Sequence, residues 1–301
     1  MVKIKSPNLM CIGAAKSATT TLFEILRQHS KIGVSSFKEP HFFDNIINYH
    51  KGFDWYLMNY FSYLKDEEVI AEFTPTYLSC KSAPERMHKL LGPDIKFLVI
   101  LRNPIDRAYS HYLHTKRDQY EDLSFIDAIK NEEKRLNKFS NDNDDISFAR
   151  FSYTYQGLYA QHINNYFNVF SRERFKFILF DDLVFDTKES VDKILLFLDL
   201  NINEDLNLNI ITNQSSVARV KSIKQLIKND SLFKKVLKFI IPSLVLRQRF
   251  RNTIHFLNNK KQTKPPLLKA DRIYVYNNFF KQEIIELEKM LNLNLNNWKE
   301  C

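Results

Sequence analysis

Lys16 and Glu39 are the residues of this sequence best placed to do chemistry, because each follows a short apolar run that predicts a β-strand. Lys16 lies in the turn after the run Leu9–Ile12, and Glu39 follows a second predicted strand at residues 31–35. In a parallel α/β sheet the carboxyl ends of the strands meet at one edge, where ligands bind. We therefore expect a cation that holds an anion and a carboxylate that acts as general base to face one cleft.

The stretch after Gly13 has the composition of an anion-binding loop that opens a helix. The first turn of a helix presents free backbone N–H groups at the positive end of the helix dipole, and this arrangement binds phosphate. Small side chains let the backbone approach the anion, hydroxyl groups add donors, and the lysine adds a point charge. The predicted anion-binding residues are Ala15, Lys16, Ser17, Ala18, Thr19 and Thr20. An ordinary strand-to-helix turn with a Ser or Thr N-cap is the alternative.

Arg102 and Ser110 form a second candidate pair for a phosphate. The run Ile95–Leu101 is short and nearly all apolar, as expected of a central strand covered on both faces, and Arg102 follows it directly. A helix begins at Pro104, so Ser110 lies about two turns into it. The guanidinium fork and the hydroxyl are both phosphate ligands, although an arginine after a strand also pairs with a nearby acid.

The carboxylates have simpler alternative roles. Glu39 could be a helix N-terminal residue stabilised by the dipole, with the two phenylalanines that follow in the core. Glu72, at the end of the predicted strand Val69–Phe73, is expected to line the same cleft. Asp181 and Asp182 follow another predicted strand and are interpreted as a surface turn rather than as magnesium ligands.

Apolar runs and amphipathic segments alternate along the 301 residues, which predicts an α/β fold: a central parallel sheet flanked by helices, in one domain spanning 1–301. Strands are predicted at 9–12, 31–35, 69–73, 95–101 and 175–180, and helices at 22–26, 52–61, 84–91, from 104 onward, 121–139, 158–170, 191–200, 221–241 and 271–291.

Composition predicts a cytoplasmic protein. The three cysteines are scattered, so neither a disulfide framework nor a zinc site is expected, and a reducing compartment fits them. The first predicted strand begins so early that no signal peptide is expected, and no apolar run is long enough to span a membrane.

The net charge of +9 comes from one late segment, because the rest of the chain is net negative. Residues 215–269 contain 14 Lys or Arg and one acid, and we expect a basic helical insertion at about 215–264. A solvated helix face is the simplest interpretation. A basic wall could also concentrate anionic substrates, or the segment could contact a membrane surface peripherally. No nucleic-acid-binding module accompanies the charge, so nucleic acid is not an expected partner.

Three segments in the same order resemble the sulfotransferases that use 3′-phosphoadenosine-5′-phosphosulfate (PAPS). The loop around Lys16 resembles their phosphosulfate loop, a P-loop-like element. The segment Lys-Glu-Pro-His-Phe-Phe at 38–43 is similar to the base-bearing segment of the heparan sulfate sulfotransferases and their bacterial relatives. The run Leu-Arg-Asn-Pro-Ile-Asp-Arg-Ala-Tyr-Ser at 101–110 looks like the motif that binds the 3′-phosphate.

The resemblance implies a sulfotransferase with a P-loop-like fold that moves a sulfuryl group from PAPS, without a metal, to a hydroxyl or amine of a glycan or glycolipid. Glu39 would be the base, Lys16 would neutralise the leaving phosphate, and His41 would lie in the acceptor site. Arg102 and Ser110 would bind the 3′-phosphate. The family's basic loop implies Lys260 and Lys261 as further nucleotide ligands.

Two positions depart from the family pattern. The family usually has glycine where Ala18 stands, and some polysaccharide sulfotransferases have a substrate-binding lysine where this chain has Phe73.

Two other functions are left open. A nucleotide kinase or triphosphatase would use ATP and magnesium, but its loop GxxxxGK[ST] has a second glycine that this chain lacks. A non-catalytic anion-binding protein recruited through the basic segment would transfer no sulfate.

Overall fold

Five parallel strands form a central sheet in the order β2-β3-β1-β4-β5, which confirms the predicted fold class. The computed structural model describes residues 4–139, 147–202, 205–210 and 265–300, and the backbone of 216–218 and 259–261. The strands of the sheet are β1 (Leu9–Gly13), β2 (Ile32–Val34), β3 (Val69–Phe73), β4 (Lys96–Leu101) and β5 (Phe175–Leu179).

The sheet separates two apolar cores because successive side chains of each strand point to opposite faces. Met10 and Ile12 of β1 face the larger core, and Leu9 and Cys11 face the smaller one; all four are fully buried. Burial on both faces explains why the central strands are continuous apolar runs. The chain leaves β1 toward β2 and later crosses to β4, so β1 lies at the topological switch point, where α/β sheets bind ligands.

Helices cover both faces of the sheet. They are α1 (Thr19–Leu26), α2 (Ile46–His50), α3 (Phe53–Tyr60), α4 (Ala83–Leu91), α5 (Pro104–Arg117), α6 (Phe125–Lys130), α7 (Glu132–Leu136), α8 (Ser147–Phe151), α9 (Tyr159–Phe167), α10 (Phe180–Phe185), α11 (Thr187–Phe197), α12 (Lys269–Val275) and α13 (Lys281–Leu291). A π-helical turn joins α12 to α13, and Trp298 is buried after them.

Two predictions about local structure are wrong. The single helix predicted at 121–139 is two short helices, α6 and α7. Glu132, at the start of α7, is buried, and its carboxylate accepts hydrogen bonds from the backbone N–H groups of Thr154 and Tyr155. A glutamate buried at position 132 does not fit one continuous helix whose charged face lies in solvent. Asp181 and Asp182 are exposed, as predicted, but they lie in the first turn of α10, where the dipole favours acids, and not in a turn between elements.

Strands β6 (Ser216–Ala218) and β7 (Asn259–Lys261) pair antiparallel, and β6 lies near α5. The helix predicted at 221–241, and with it most of the predicted basic insertion, lies outside the described residues, so the insertion and the single domain remain predictions. Within the described part of the chain, no helix is long and apolar enough to cross a membrane.

Candidate active site

The loop after β1 packs closely against the end of β4 and against Leu78. The N–H of Ala14 donates to the carbonyl of Ile100 in β4 at 2.8 Å, so the loop starts beside the end of that strand. A Cβ on Gly13 would lie 2.8 Å from side-chain carbons of Leu78. Glycine is therefore required at Gly13 by the close approach of Leu78.

The start of α1 favours the anion-binding interpretation over a capped turn. The N-cap is Ala18, which has no side-chain oxygen, so the N–H groups of the first turn have no side-chain cap. Ser17 is fully buried, and its hydroxyl has no hydrogen-bond partner among the described residues. Buried hydroxyls are almost always hydrogen-bonded in proteins, so this group fits a bound anion. Thr19 is also buried, whereas Ala15, Lys16 and Thr20 are half-buried.

The loop backbone is strained at two residues. Lys16 and Ala18 have φ values of 73° and 60°, in the left-handed region that side chains with a Cβ disfavour by about 1–2 kcal/mol. This conformation gives a physical reason for the family's glycine at the position of Ala18.

We expect Ala18→Gly to raise the free energy of unfolding by about 0.5 kcal/mol, because glycine relieves the strain but adds entropy to the unfolded chain. Ala15 has no positive φ, so Ala15→Gly is the matched control and should lower stability by about 0.5–1 kcal/mol. Urea unfolding followed by circular dichroism measures both. Equal destabilisation by the two variants would contradict the strain argument.

Arg102 holds the loop directly. Its Nη1 donates to the carbonyl of Lys16 at 2.8 Å, and its guanidinium lies over the ring of Phe180 with 4.4 Å to the centroid. The structure therefore brings together two predicted site residues that are 86 positions apart in the sequence.

Ser110 is buried on α5, 8% exposed. Burial and then the positive charges of Arg107 and Lys16 lower the pKa of the neighbouring His111 well below its ordinary value. The backbone of Lys260 and Lys261 lies in β7, which pairs with β6 beside the same helix. The roles of Ser110 and both lysines remain predictions.

Glu39 lies at the same sheet edge as the loop. Its N–H donates to the carbonyl of Phe73 at the end of β3, and the N–H of Thr74 donates to the carbonyl of Cys11 in β1. Two strand spacings, about 10 Å, therefore separate the backbone of Glu39 from that of β1. Glu39 precedes α2, whose N-cap is Asn45, so its interpretation as a helix N-terminal residue is wrong.

Charged side chains surround the Glu39 carboxylate. Lys38 Nζ lies 2.6 Å from Oε1, and His41 Nε2 lies 3.7 Å from Oε2. On its other side, His41 Nδ1 lies 3.1 Å from the carboxylate of Asp44, which also accepts a hydrogen bond from Thr76. The Glu39 side chain is 40% exposed and that of Asp44 9%, so Glu39 is the carboxylate open to the cleft.

A loop with uncapped N–H groups and an exposed carboxylate lie at one sheet edge, and comparison with known proteins identifies the family. Residues 6–240 match the family described as "Sulfotransferase domain". The chain belongs to the sulfotransferase family.

This chain is similar to several curated sulfotransferases that are named for heparan sulfate. It is 32% identical over 194 residues to mouse (Mus musculus) heparan sulfate glucosamine 3-O-sulfotransferase 6, covering 64% of this chain and 52% of the relative. It is 29% identical over 199 residues to human (Homo sapiens) heparan sulfate glucosamine 3-O-sulfotransferase 5, covering 64% and 54%. The chain thus spans about half the length of the curated relatives it matches.

A solved bacterial sulfotransferase, from Alicyclobacillus acidocaldarius, is similar over nearly the whole chain. The alignment covers 99% of this chain and 100% of the other, with a TM-score of 0.71 and 25% identity. The sulfotransferase architecture therefore extends through the described C-terminal helices.

The charged side chains of the site form an ion cluster, and their contacts determine which of them carry a proton. The members of the cluster are Lys38, Glu39, His41 and Asp44. Burial disfavours the charged form of Glu39, but Lys38 and His41 outweigh it and hold the pKa of this carboxyl well below its usual range. Burial also opposes the charge on His41, yet Asp44 and then Glu39 raise its pKa to about 10. At neutral pH an imidazolium therefore lies between two carboxylates.

Several features of the site differ from the sequence interpretation. Glu72 does not line the cleft, because it is fully buried in the larger core. Phe73, at the position of the family's lysine, is also fully buried and packs edge-to-face against Phe23. Sequence reasoning missed Lys38 and Asp44 as partners of Glu39 and His41. The three-residue spacing from His41 to Asp44 was a signal for the second pair, but that segment is not a helix, so spacing alone did not predict the contact.

Proposed function

We propose that this protein transfers the sulfuryl group of PAPS to a hydroxyl or amine of a carbohydrate acceptor. The observation that carries the proposal is the position of the Glu39 carboxylate, whose side chain is 40% exposed, at the same sheet edge as the uncapped loop around Lys16. The family match and the relatives named for heparan sulfate support the reaction and the acceptor class.

The loop would bind the 5′-phosphosulfate. N–H groups at the start of α1 and the Ser17 hydroxyl supply donors, and Lys16 supplies a charge. Sulfuryl transfer resembles phosphoryl transfer in needing in-line geometry and charge stabilisation, with little covalent chemistry for the protein. Lys16 would act most strongly as negative charge develops on the leaving phosphate oxygen.

Glu39 would accept the proton of the attacking hydroxyl or amine. A base must be unprotonated when the acceptor binds, and the low pKa of Glu39 ensures this across the neutral range. His41, held by Asp44, would hydrogen-bond the acceptor or orient Glu39. With Phe73 buried, an acceptor cation equivalent to the family's lysine is missing at that position, so the acceptor contacts of this chain would differ there.

Arg102 would bind the 3′-phosphate. We expect Arg102→Ala to weaken binding of 3′-phosphoadenosine 5′-phosphate (PAP) by about 10- to 100-fold, the value of a charged hydrogen-bonded contact. Binding of adenosine 5′-phosphosulfate, which lacks that phosphate, should weaken much less, although loss of the Lys16 contact will affect it slightly. Calorimetric titration measures both.

The matched control for this prediction is Arg174→Ala. Arg174 pairs with Asp94 just before β4, at the opposite edge of the sheet, so removal of its guanidinium should change neither affinity. Equal losses of PAP and adenosine 5′-phosphosulfate affinity in the Arg102 variant would remove the 3′-phosphate assignment.

The proposed function itself is tested with PAPS carrying ³⁵S-labelled sulfate. The purified protein is incubated with glycans, glycolipids and small phenols, and we expect label in a carbohydrate acceptor and PAP binding without magnesium. The alternative, a kinase or triphosphatase, predicts magnesium-dependent turnover of ATP and no sulfate transfer. Magnesium-dependent turnover of ATP without sulfate transfer would overturn the proposed reaction. Transfer of label to phenols alone would overturn the proposed acceptor class.

A further inference from the structure

The segment from Glu39 to Asp44 has a backbone conformation that its residues disfavour. Glu39 and His41 have φ values of 64° and 51°, although neither is glycine. Non-glycine residues persist in this region only when surrounding groups fix the backbone at several points. The position of the proposed base therefore depends on what anchors this segment.

The buried side chain of Tyr77 anchors the middle of the segment from Glu39 to Asp44. The hydroxyl of Tyr77 accepts hydrogen bonds from the N–H of Phe42 at 2.9 Å and from that of Phe43 at 3.3 Å. These two amides lie between His41 and Asp44 in the sequence. Tyr77 has no exposed surface, so water does not compete for its hydroxyl.

A buried carboxyl group holds a second side chain against the same segment. Glu72, which has no exposed surface, accepts hydrogen bonds from the hydroxyl of Thr74 at 2.6 Å and from that of Tyr56. The ring of Tyr56 stacks on that of Phe42, with 4.4 Å between the ring centroids. The members of such a buried network polarise one another.

We propose that Glu72 and Tyr77 are positioning residues for sulfuryl transfer: the Tyr77 hydroxyl holds the Phe42 and Phe43 amides, and Glu72 holds the Tyr56 ring against Phe42, so that Glu39 stays at the cleft. Neither residue reaches the cleft itself. The inference rests on the proposed function, and it concerns the acceptor side of the site alone.

The network predicts a dependence on pH. Burial raises the pKa of Glu72 to about 7, against the opposing hydrogen bonds from Thr74 and Tyr56, and the charge of Asp44 adds to the increase. The titratable groups that face Glu72 are Tyr56 and Tyr60 of α3, Tyr77, Asp44 and Tyr166 of α9.

Only the ionised Glu72 can accept a hydroxyl group at each of its two oxygens, as the contacts with Thr74 and Tyr56 require. As pH falls through about 7, the carboxyl gains a proton, becomes a donor and loses part of this capacity. The anchor should therefore weaken below pH 7. Glu39 does not titrate in this range, because its own pKa lies far lower.

Hydrogen–deuterium exchange tests the anchor without any assay of activity. In Tyr77→Phe, we expect exchange in peptides covering residues 38–45 to be faster by roughly tenfold or more, with no change in β4. Tyr166→Phe is the matched control: its buried hydroxyl donates to the carbonyl of Tyr77 at 2.9 Å and leaves the Tyr77 hydroxyl in place. Unchanged exchange at 38–45 in Tyr77→Phe would overturn the inference.

Kinetics tests the consequence. Tyr77→Phe should lower kcat by about 10- to 100-fold, the effect of a small misplacement of a reacting group, without changing the Kd for PAP. Glu72→Gln, which keeps the shape of the side chain, should abolish the fall in kcat between pH 8 and pH 6. Glu132, whose pKa burial also raises to about 7, remains in that variant, so a persisting fall would overturn the role of Glu72.

The two proposals fail separately. If the wild-type protein transfers no sulfate to any acceptor, the proposed function fails, and exchange at residues 38–45 still decides whether Tyr77 anchors the segment. If the wild-type protein transfers sulfate and Tyr77→Phe transfers it equally fast, the positioning inference fails alone.

Discussion

Replacing Glu39 with glutamine should lower the rate of sulfuryl transfer by about 10²- to 10⁴-fold, the usual contribution of a general base. Glutamine has nearly the same shape but cannot take a proton from the acceptor. PAP binding should be unchanged, because the loop and Arg102, which contact each other, would hold the nucleotide. Initial rates with labelled PAPS give kcat, and calorimetry gives the Kd of PAP.

Glu68→Gln is the matched control for this substitution. Glu68 forms an ion pair with Lys31 at 2.6 Å just before β3, at the opposite edge of the sheet from the loop. Loss of that pair should leave kcat unchanged. If Glu39→Gln retained the turnover of the wild-type protein, Glu39 would have no role as base, and the proposed mechanism would lose the observation that carries it.

The second large effect is expected for Lys16→Met, which should lower kcat by about 10²- to 10³-fold, the cost of removing one preorganised group that stabilises developing charge. Methionine keeps a long unbranched side chain at this left-handed position, so the backbone strain stays similar and the charge is the main change. Single-turnover rates at saturating PAPS separate the chemical step from binding.

Lys5→Met is the control for the lysine substitution. Lys5 donates to the carbonyl of Glu67 before β3, away from the loop, so its loss should not affect turnover. A Lys16 variant with normal single-turnover rates but weak PAPS binding would show that Lys16 binds the ground state and the transition state equally. Its assignment as a catalytic residue would then be wrong.

The ion cluster explains why a carboxylate in this cleft is ready to act. A carboxylate partly removed from water would ordinarily hold its proton more tightly. In this protein Lys38 and His41 reverse that tendency, and Asp44 keeps His41 charged. The proposed base would therefore be ionised but weakly basic, and an acceptor hydroxyl would have to compete with Lys38 for the Oε1 atom of Glu39.

Local patterns predicted the strands well. β3 has the predicted bounds, and β1, β4 and β5 differ from prediction by one residue at one end. Buried parallel strands are continuous apolar runs, so their signal lies within the segment itself. The same patterns failed at 121–139, because a contact between Glu132 and the chain at residues 154–155 divides that region into two helices.

By itself, the sequence determined the sheet, the loop after β1 and the presence of Glu39 and Lys16 at one edge, since apolar runs, small residues and chain order encode these features locally. Only the tertiary structure decided the environment of the base: Lys38 and Asp44 as ionic partners, and Glu72 as a buried acceptor rather than a residue of the cleft. The physical reason is that left-handed residues at Glu39 and His41 turn side chains in directions that no period of a helix or strand predicts, and contacts distant in sequence hold them there.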